Sequence, residues 1–378
     1  MKKLFLLFSA LMTTMLLYAE SKVYLDDFSI KRGETKALSI KLKNEGVLKG
    51  MQMLITLPEG LTFTGEEEEE ADFGEESRLS AGLSCALQDT EKRVLQVVFL
   101  ATKKKDYLAV GDGEIFICEV KADDNAALGI KQVKFSDVVI NMDTEEVEPD
   151  DANFNIKIYT TYTVTAAPNK EAAGSVTGAG EYENGTNATL TATANTGYQF
   201  TKWSNDVTDN PYTFAVNAAT DLTAQFDAIN YNLTYVLAGG AVATENPASY
   251  TIESEAITLN NPTKNGYDFT GWTGTDLTEA TTTVTIAKGS TGDRSYTATW
   301  TPITYTISYD LAGGSVATAN PATYTIESEA ITLVNPTREG YTFAGWTGTG
   351  LTAATMNVTI AKGSIENRSY TATWTPVT

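Results

Sequence analysis

A heptapeptide that returns three times decides what most of this chain can become. It reads Gly197-Tyr198-Gln199-Phe200-Thr201-Lys202-Trp203, then Gly266-Tyr267-Asp268-Phe269-Thr270-Gly271-Trp272, then Gly340-Tyr341-Thr342-Phe343-Ala344-Gly345-Trp346. The last two copies sit in segments 229–302 and 303–376, which align without a gap and agree at roughly three-quarters of their positions. An array of this kind calls for a small unit folded several times over. Units of this length hide little surface and retain only a few kcal/mol of net stability. Each Tyr, Phe or Trp removes about 150 to 250 Å² from water, so rings at fixed strand spacing are an efficient way to close such a core. The rival reading sets Trp272 and Trp346 out in solvent as platforms for sugar rings. The joint recurrence of Tyr, Phe and Trp at strand spacing favours the core. Glycine at the head of each heptapeptide suits a turn with positive φ or a close backbone approach.

The units read as mainly β. In the close pair an opening strand alternates through Tyr231, Leu233, Tyr235 and Leu237, matched by Tyr305, Ile307, Tyr309 and Leu311. Gly239-Gly240 and Gly313-Gly314 then turn the chain. Asn261-Pro262-Thr263 and Asn335-Pro336-Thr337 lead into the heptapeptide strand. The spacing predicts a closing hairpin in which Val284 and Ile286 pair with Tyr296, Ala298 and Trp300, and the next unit repeats it with Val358, Ile360, Tyr370, Ala372 and Trp374. The first unit, residues 160–228, diverges. It has Ala166-Ala167-Pro168 in place of the double glycine, and ends Thr223-Ala224-Gln225-Phe226 where the others end Thr-Ala-Thr-Trp. A repeat longer than a solenoid period should enclose its own core and form a bead, with links such as Thr301-Pro302 leaving almost no slack.

Composition narrows the chemistry. The formal net charge is −21, from 48 acidic and 27 basic residues. Nucleic acid and anionic lipid require a cationic face, so neither is an expected partner. Histidine is absent, which removes Ser-His-Asp and Cys-His nucleophiles and every His-ligated metal site. The main surviving enzymatic reading is a carboxylate pair of the glycosidase kind, and nothing in the spacing of Asp and Glu selects one. No cofactor is implied.

Residues 1–19 have the layout of a secretory signal peptide: Lys2 and Lys3, an apolar stretch, and Ala19 before Glu20 as the cleavage point. A retained anchor is the alternative, disfavoured because Ser9, Thr13 and Thr14 interrupt a short stretch. No integral membrane segment is expected once the signal is removed. Residues 20–159 then read as a separate unit. Strands are predicted at Val23 to Ile30, Ala37 to Leu42, Met51 to Leu57, Leu79 to Leu87, Arg93 to Leu100, Glu114 to Lys121, Gln132 to Ile140 and Phe154 to Tyr159, a spacing that implies a two-sheet sandwich.

Cys85 and Cys118 are the only cysteines, both in predicted strands. Outside the cytoplasm they could join in a disulfide worth roughly 3 to 4 kcal/mol in the chain-entropy model, or remain buried thiols acting as small apolar groups. Two acidic patches, Glu66 to Glu70 with Asp72, Glu75 and Glu76, and Asp143, Glu145, Glu146, Glu148, Asp150 and Asp151, raise the question of calcium. Unbroken glutamate runs lack the alternating ligands and shaping glycine of a calcium loop, and read as solvated loops. The Lys103-Lys104-Lys105 triplet reads as a turn.

Two resemblances add to this. Phe28-Ser29-Ile30-Lys31-Arg32-Gly33-Glu34-Thr35, Gly50-Met51-Gln52-Met53 and Leu57-Pro58-Glu59-Gly60-Leu61 resemble cohesin-type modules, relatives of carbohydrate-binding sandwiches. The resemblance implies a nine-stranded jelly-roll-like sandwich that binds a dockerin-type protein or a polysaccharide. Residues 336–346, Pro-Thr-Arg-Glu-Gly-Tyr-Thr-Phe-Ala-Gly-Trp, with the terminal Tyr-Thr-Ala-Thr-Trp, resemble the internalin-type B-repeat, or Listeria-Bacteroides repeat, and residues 160–228 its divergent relatives. That family implies β-grasp-like units in secreted or surface-attached bacterial proteins. The expected architecture is therefore all-β: signal peptide 1–19, cohesin-like sandwich 20–159, a divergent repeat 160–228, and repeats 229–302 and 303–378. The expected function is non-enzymatic binding or adhesion at the cell envelope or outside the cell, with a polysaccharide or protein ligand held by a sandwich on a β-repeat spacer. The alternatives are an accessory carbohydrate-binding component of a polysaccharide-degrading system and a purely structural surface protein.

Overall fold

The computed structural model describes residues 20–65, 68–70 and 77–378. The expected signal peptide and most of the acidic patch between Glu66 and Glu76 lie outside the described residues. The chain falls into two compact units. One holds the chain up to residue 166 with 178–190 and 211–222, and the other holds 167–177, 191–210 and 223–378.

The sandwich comprises strands β1 (Lys22–Tyr24), β2 (Phe28–Lys31), β3 (Thr35–Asn44), β4 (Leu48–Thr56), β5 (Leu61–Phe63), β6 (Glu68–Glu70), β7 (Leu83–Leu87), β8 (Val94–Leu100), β9 (Gly111–Ala122), β10 (Gly129–Met142), β11 (Glu146–Val147) and β12 (Ala152–Tyr159). One sheet runs β1-β3-β9-β5; the other runs β2-β12-β10-β4-β8-β7-β6, with β11 alongside β10. Pairing is antiparallel except between β12 and β2. Alternation fills the space between the sheets: Leu38, Ile40 and Leu42 from β3 meet Met51, Met53 and Ile55 from β4 and Val97 and Phe99 from β8. Each such side chain, fully buried, contributes about 1.5 to 3 kcal/mol.

Two details depart from the sequence reading. The single strand expected over Val23 to Ile30 is two strands in different sheets, because Leu25 to Asp27 carries the chain from one sheet to the other. Short strands β5, β6 and β11 bring the total to twelve described strands, where the resemblance implied nine. The lysine triplet lies at a turn, as expected: Lys104–Asp106 is a 3-10 turn between β8 and β9.

The second repeat builds a sheet in the order Ser249–Tyr250, Tyr231–Val236, Arg294–Pro302, Tyr267–Gly274. Its first and last strands are parallel neighbours, Leu233 opposite Arg294 and Val236 opposite Thr297. The predicted closing hairpin does not form. Thr285–Ile286 pairs with Ile257–Thr258 in a separate two-stranded ribbon, while Arg294–Pro302 enters between the opening strand and the heptapeptide strand. The central position gives this most alternating strand two partners instead of one, which the sequence alone could not weigh. Val284 and Ile286 still reach the core, beside Leu233, Tyr250, Trp272 and Tyr296. The third repeat repeats the plan, with Tyr305–Asp310 parallel to Arg368–Pro376, Ile331–Thr332 paired with Thr359–Ile360, and its own core around Trp346 and Tyr370. In the first repeat Tyr198–Trp203 pairs with Thr220–Ala228, setting Phe200 opposite Phe226.

Candidate functional site

Two surfaces stand out: the outer face of the larger sandwich sheet, and the joints between repeats.

On β4 the residues that alternate with the buried Met51, Met53 and Ile55 face outward, so Gly50, Gln52 and Leu54 line that side. Gln52 lies between Val98 of β8 and Val139 of β10, and Gly50 between Leu100 and Asn141. A shallow depression of about 350 Å³ follows this stretch of β4, walled by Val98, Leu100, Ala101 and Val139 and rimmed by Lys49, Gln52 and Asn141. Its floor stays open at Gly50, where an added Cβ would stand 3.3 Å from the Phe99 carbonyl oxygen. Leu100 is 63% exposed, while Phe99, the only aromatic residue of the lining, is 1% exposed. The depression therefore offers aliphatic contact and amide hydrogen bonding, with no ring for a sugar to stack on.

Its neighbour is acidic. Gln52 and Val139 also line a wider hollow of about 660 Å³ with Asp137, Glu148, Asp150 and Asp151. Asp137 sits in a bulge between Ser136 and Val139 with φ 50°. In the second acidic patch three of the six carboxylates have ordinary partners: Asp143 accepts from the Val47 amide, Glu146 from Asn141, and Asp151 pairs with Lys134 at 2.7 Å. Among the described residues no three acidic or sulfur side chains converge as a metal set.

Cys85 on β7 and Cys118 on β9 belong to opposite sheets, and both are free thiols. Burial pushes the Cys85 thiol up to about 11. Cys118 is raised further, first by burial and then by its proximity to Cys85.

The heptapeptides divide in two. Their Trp and Phe residues turn inward: Trp203, Trp272 and Trp346 are fully buried. Their indole nitrogens donate to the Asp209 carbonyl oxygen (3.0 Å), Asn261 Oδ1 (3.0 Å) and Asn335 Oδ1 (3.1 Å). Phe200, Phe269 and Phe343 pack on those indoles at 5.4, 5.6 and 5.6 Å between ring centroids. The Gly and Tyr residues turn outward to joints between repeats. Tyr198 Oη donates to Glu253 of the second repeat at 3.1 Å, where Lys170 Nζ also reaches Glu253 at 2.8 Å. Tyr267 Oη donates to Glu327 of the third repeat at 2.9 Å. A Cβ on Gly197 would lie 2.6 Å from Ile252 Cδ1, and one on Gly266 2.6 Å from Ile326 Cδ1, so each glycine receives the isoleucine of the following repeat. Tyr341 is 37% exposed.

Sequence reasoning set the glycine apart as a turn or close approach but placed Tyr, Phe and Trp together in the core, and so missed this division. The available signal was Tyr-Thr-Ile-Glu-Ser, identical at 250–254 and 324–328 and missing from the first repeat. It likewise missed the outer depression, although Val94-Leu95-Gln96-Val97-Val98-Phe99-Leu100 is apolar on both faces where one-sided burial needs alternation. Among the described residues no helix is long and apolar enough to cross a membrane.

Residues 160–230 match the divergent InlB B-repeat domain, and residues 231–295 and 305–365 match the Listeria-Bacteroides repeat domain. Solved structures similar to the N-terminal region are cohesins. A type I cohesin–dockerin complex from Clostridium thermocellum is 15% identical, covering 36% of this chain and 98% of its own, with a TM-score of 0.29. The sixth cohesin of scaffoldin B from Acetivibrio cellulolyticus, in complex with a Cel5 dockerin, is 18% identical over 36% and 98%, with a TM-score of 0.28. A type II cohesin domain from the cellulosome of the same organism is 15% identical over 36% and 93%, with a TM-score of 0.30. No curated protein matches the chain.

Proposed function

We propose that this chain, a β-sandwich followed by Listeria-Bacteroides-type repeats, is a non-enzymatic binding protein of the cell envelope or the extracellular space, whose sandwich holds a protein ligand while the repeats space it. The observation that carries the reading is the depression along Gly50 and Gln52: aliphatic walls, an amide rim and no exposed ring. Protein interfaces pair an apolar centre with a polar surround, whereas a sugar-binding face relies on aromatic platforms. The acidic hollow beside it favours a ligand segment that carries lysine or arginine next to its apolar contact. The likeness of residues 28–35, 50–53 and 57–61 to cohesin-type modules admits a dockerin-type protein or a polysaccharide, and the missing ring favours the protein. Export rests on the layout of residues 1–19.

The test uses the full mature chain and Leu100→Arg, which puts a charge on the apolar wall at an exposed position. Both are presented to the extracellular proteins of the native cell with cross-linking, and to a glycan array. A specific protein captured by the wild type and lost at least tenfold by the variant supports the reading. Equal capture by both chains removes the site. Array binding that Leu100→Arg leaves intact replaces the reading with the accessory carbohydrate-binding one.

A further inference from the structure

A further hollow of the sandwich shares no residue with the depression on the outer face. It is a slot of about 350 Å³, walled by Val23 and Tyr24 of β1, Phe135 and Val138 of β10, and Ala152 and Phe154 of β12. β1 is an edge strand of the smaller sheet, whereas β10 and β12 belong to the larger one, so the slot opens between the two layers along the sandwich edge. The interior is apolar. Val23, Phe135 and Val138 are buried, and the half-buried Phe154 ring packs on Phe135 at 4.9 Å between centroids. The Tyr24 hydroxyl donates to Asp112, which fixes that ring as a wall.

The mouth is charged. Glu20, Lys22 and Asp150 stand around it beside Pro149. Among the described residues the side chains of Glu20 and Asp150 make no hydrogen bond or ion pair, whereas Asp151 next in sequence pairs with Lys134. Val138, Pro149 and Asp150 line the acidic hollow as well, so Asp137 and Glu148 lie close on the other side of the same short segment. Lys22 directs its Nζ over the Tyr24 ring, 5.9 Å from the centroid. A cleft that is apolar inside and carries uncompensated carboxylates at its opening attracts a positive head on an apolar stem, and half-buried rings add to that attraction. Its volume lies at the lower end of the range for small-ligand sites.

We propose that this slot is a binding site for an organic cation, an ammonium or guanidinium carried on an apolar stem. The stem lies against Val23, Val138 and Phe154, and the head meets the Asp150 and Glu20 carboxylates. A free amine and a lysine side chain of another protein present this same chemistry, and the arms of the test separate them. The site does not depend on the outer depression, and Leu100→Arg should leave it unchanged.

The probe is pentylammonium, added to the full mature chain with isotope-labelled valine and alanine methyl groups. Saturable NMR shifts at Val23, Val138 and Ala152 are the expected result. Pentanol, which keeps the stem and loses the charge, should bind about fivefold or more weakly, and hexanoate, which reverses the charge, weaker still. Asp150→Asn, at an exposed position whose side chain has no partner, should weaken pentylammonium about fivefold, and Lys22→Ala, which removes a like charge from the mouth, should tighten it. In the second arm the same five-carbon stem is offered as Nα-acetyl-lysine methylamide. Tighter binding by this derivative assigns the cation to a protein side chain, and tighter binding by the free amine assigns it to a small molecule. Absence of saturable shifts at millimolar amine, equal binding by hexanoate, or binding that Asp150→Asn leaves unchanged overturns the proposal.

Discussion

The indole of each heptapeptide carries two duties at once, filling the centre of a small core and placing its N–H against a fixed acceptor. For Trp272 the acceptor is Asn261 and for Trp346 it is Asn335, each at the turn that begins its own strand. Trp272→Ala should therefore cost about 3 to 5 kcal/mol. Because the second and third repeats close separate cores, calorimetry should show one transition moved down while that of the third repeat keeps its place. The thiols make a second residue-scale case. An unfolded thiol titrates near about 8.5, and burial holds Cys85 near about 11 in the folded chain. Between those values the folded state keeps a proton that the unfolded state has lost. The stability contributed is whole below about pH 8.5 and falls as pH rises, by at most about 1.4 kcal/mol per pH unit for each thiol. Denaturant midpoints should drop between pH 9 and 11, and Cys85→Ala should flatten that slope. Iodoacetamide at neutral pH should label the native chain slowly, at Cys85 before Cys118.

At the scale of the element, the heptapeptide strand has a bulge at the same place in every repeat, between Phe200 and Lys202, Phe269 and Gly271, and Phe343 and Gly345. The residue after the bulge is free to vary only where nothing comes near. At Gly271 the backbone has φ 136°, and an added Cβ would stand 2.6 Å from the Thr281 amide nitrogen, since Thr281 bridges to Trp272. In the first repeat the Trp203 amide donates to the Val207 carbonyl oxygen instead, and the position is Lys202, which pairs with Asp206 at 2.6 Å. Gly271→Ala should destabilise the second repeat by about 1 to 3 kcal/mol through backbone strain and displacement of the Thr281 loop, and Lys202→Ala should cost about 0 to 1 kcal/mol; urea unfolding of the two variants compares them. The strand patterns of the sandwich were legible because one-sided burial writes itself as alternation: Ala37 to Leu42 falls within β3, and Met51 to Leu57 overruns the end of β4 by one residue. The placement of Arg294–Pro302 at the centre of its sheet was not legible, because alternation reports which face is buried and is silent about which strand lies alongside. The joint surfaces were hidden for a similar reason. Tyr267 reads as part of a core strand, and Gly266 as a turn or close approach with no partner named, until Ile326 and Glu327 are seen opposite them. The outer depression needed the register that puts Gln52 between Val98 and Val139.

At the scale of the molecule, no residue is a histidine and the formal charge is −21. Within the second unit the glycine carbonyl that begins one heptapeptide bonds the first amide of the next repeat, so successive repeats join without a free linker. The parallel placement of first and last strands then has a mechanical meaning. A chain that enters the second repeat at Tyr231 and leaves at Pro302 crosses the sheet from one pole to the other. Tension applied through the two ends slides Tyr231–Val236 lengthwise against Arg294–Pro302, loading the whole ladder from Leu233 to Val236 together. Pulling outward on Tyr267–Gly274 from the sheet edge would instead open its bonds one after another. Single-molecule stretching through the chain termini should thus meet a higher rupture force than stretching through an attachment at residue 268, and equal forces would mean the parallel pair bears no load. A tether made of such repeats resists most strongly along the one direction in which a tether is pulled.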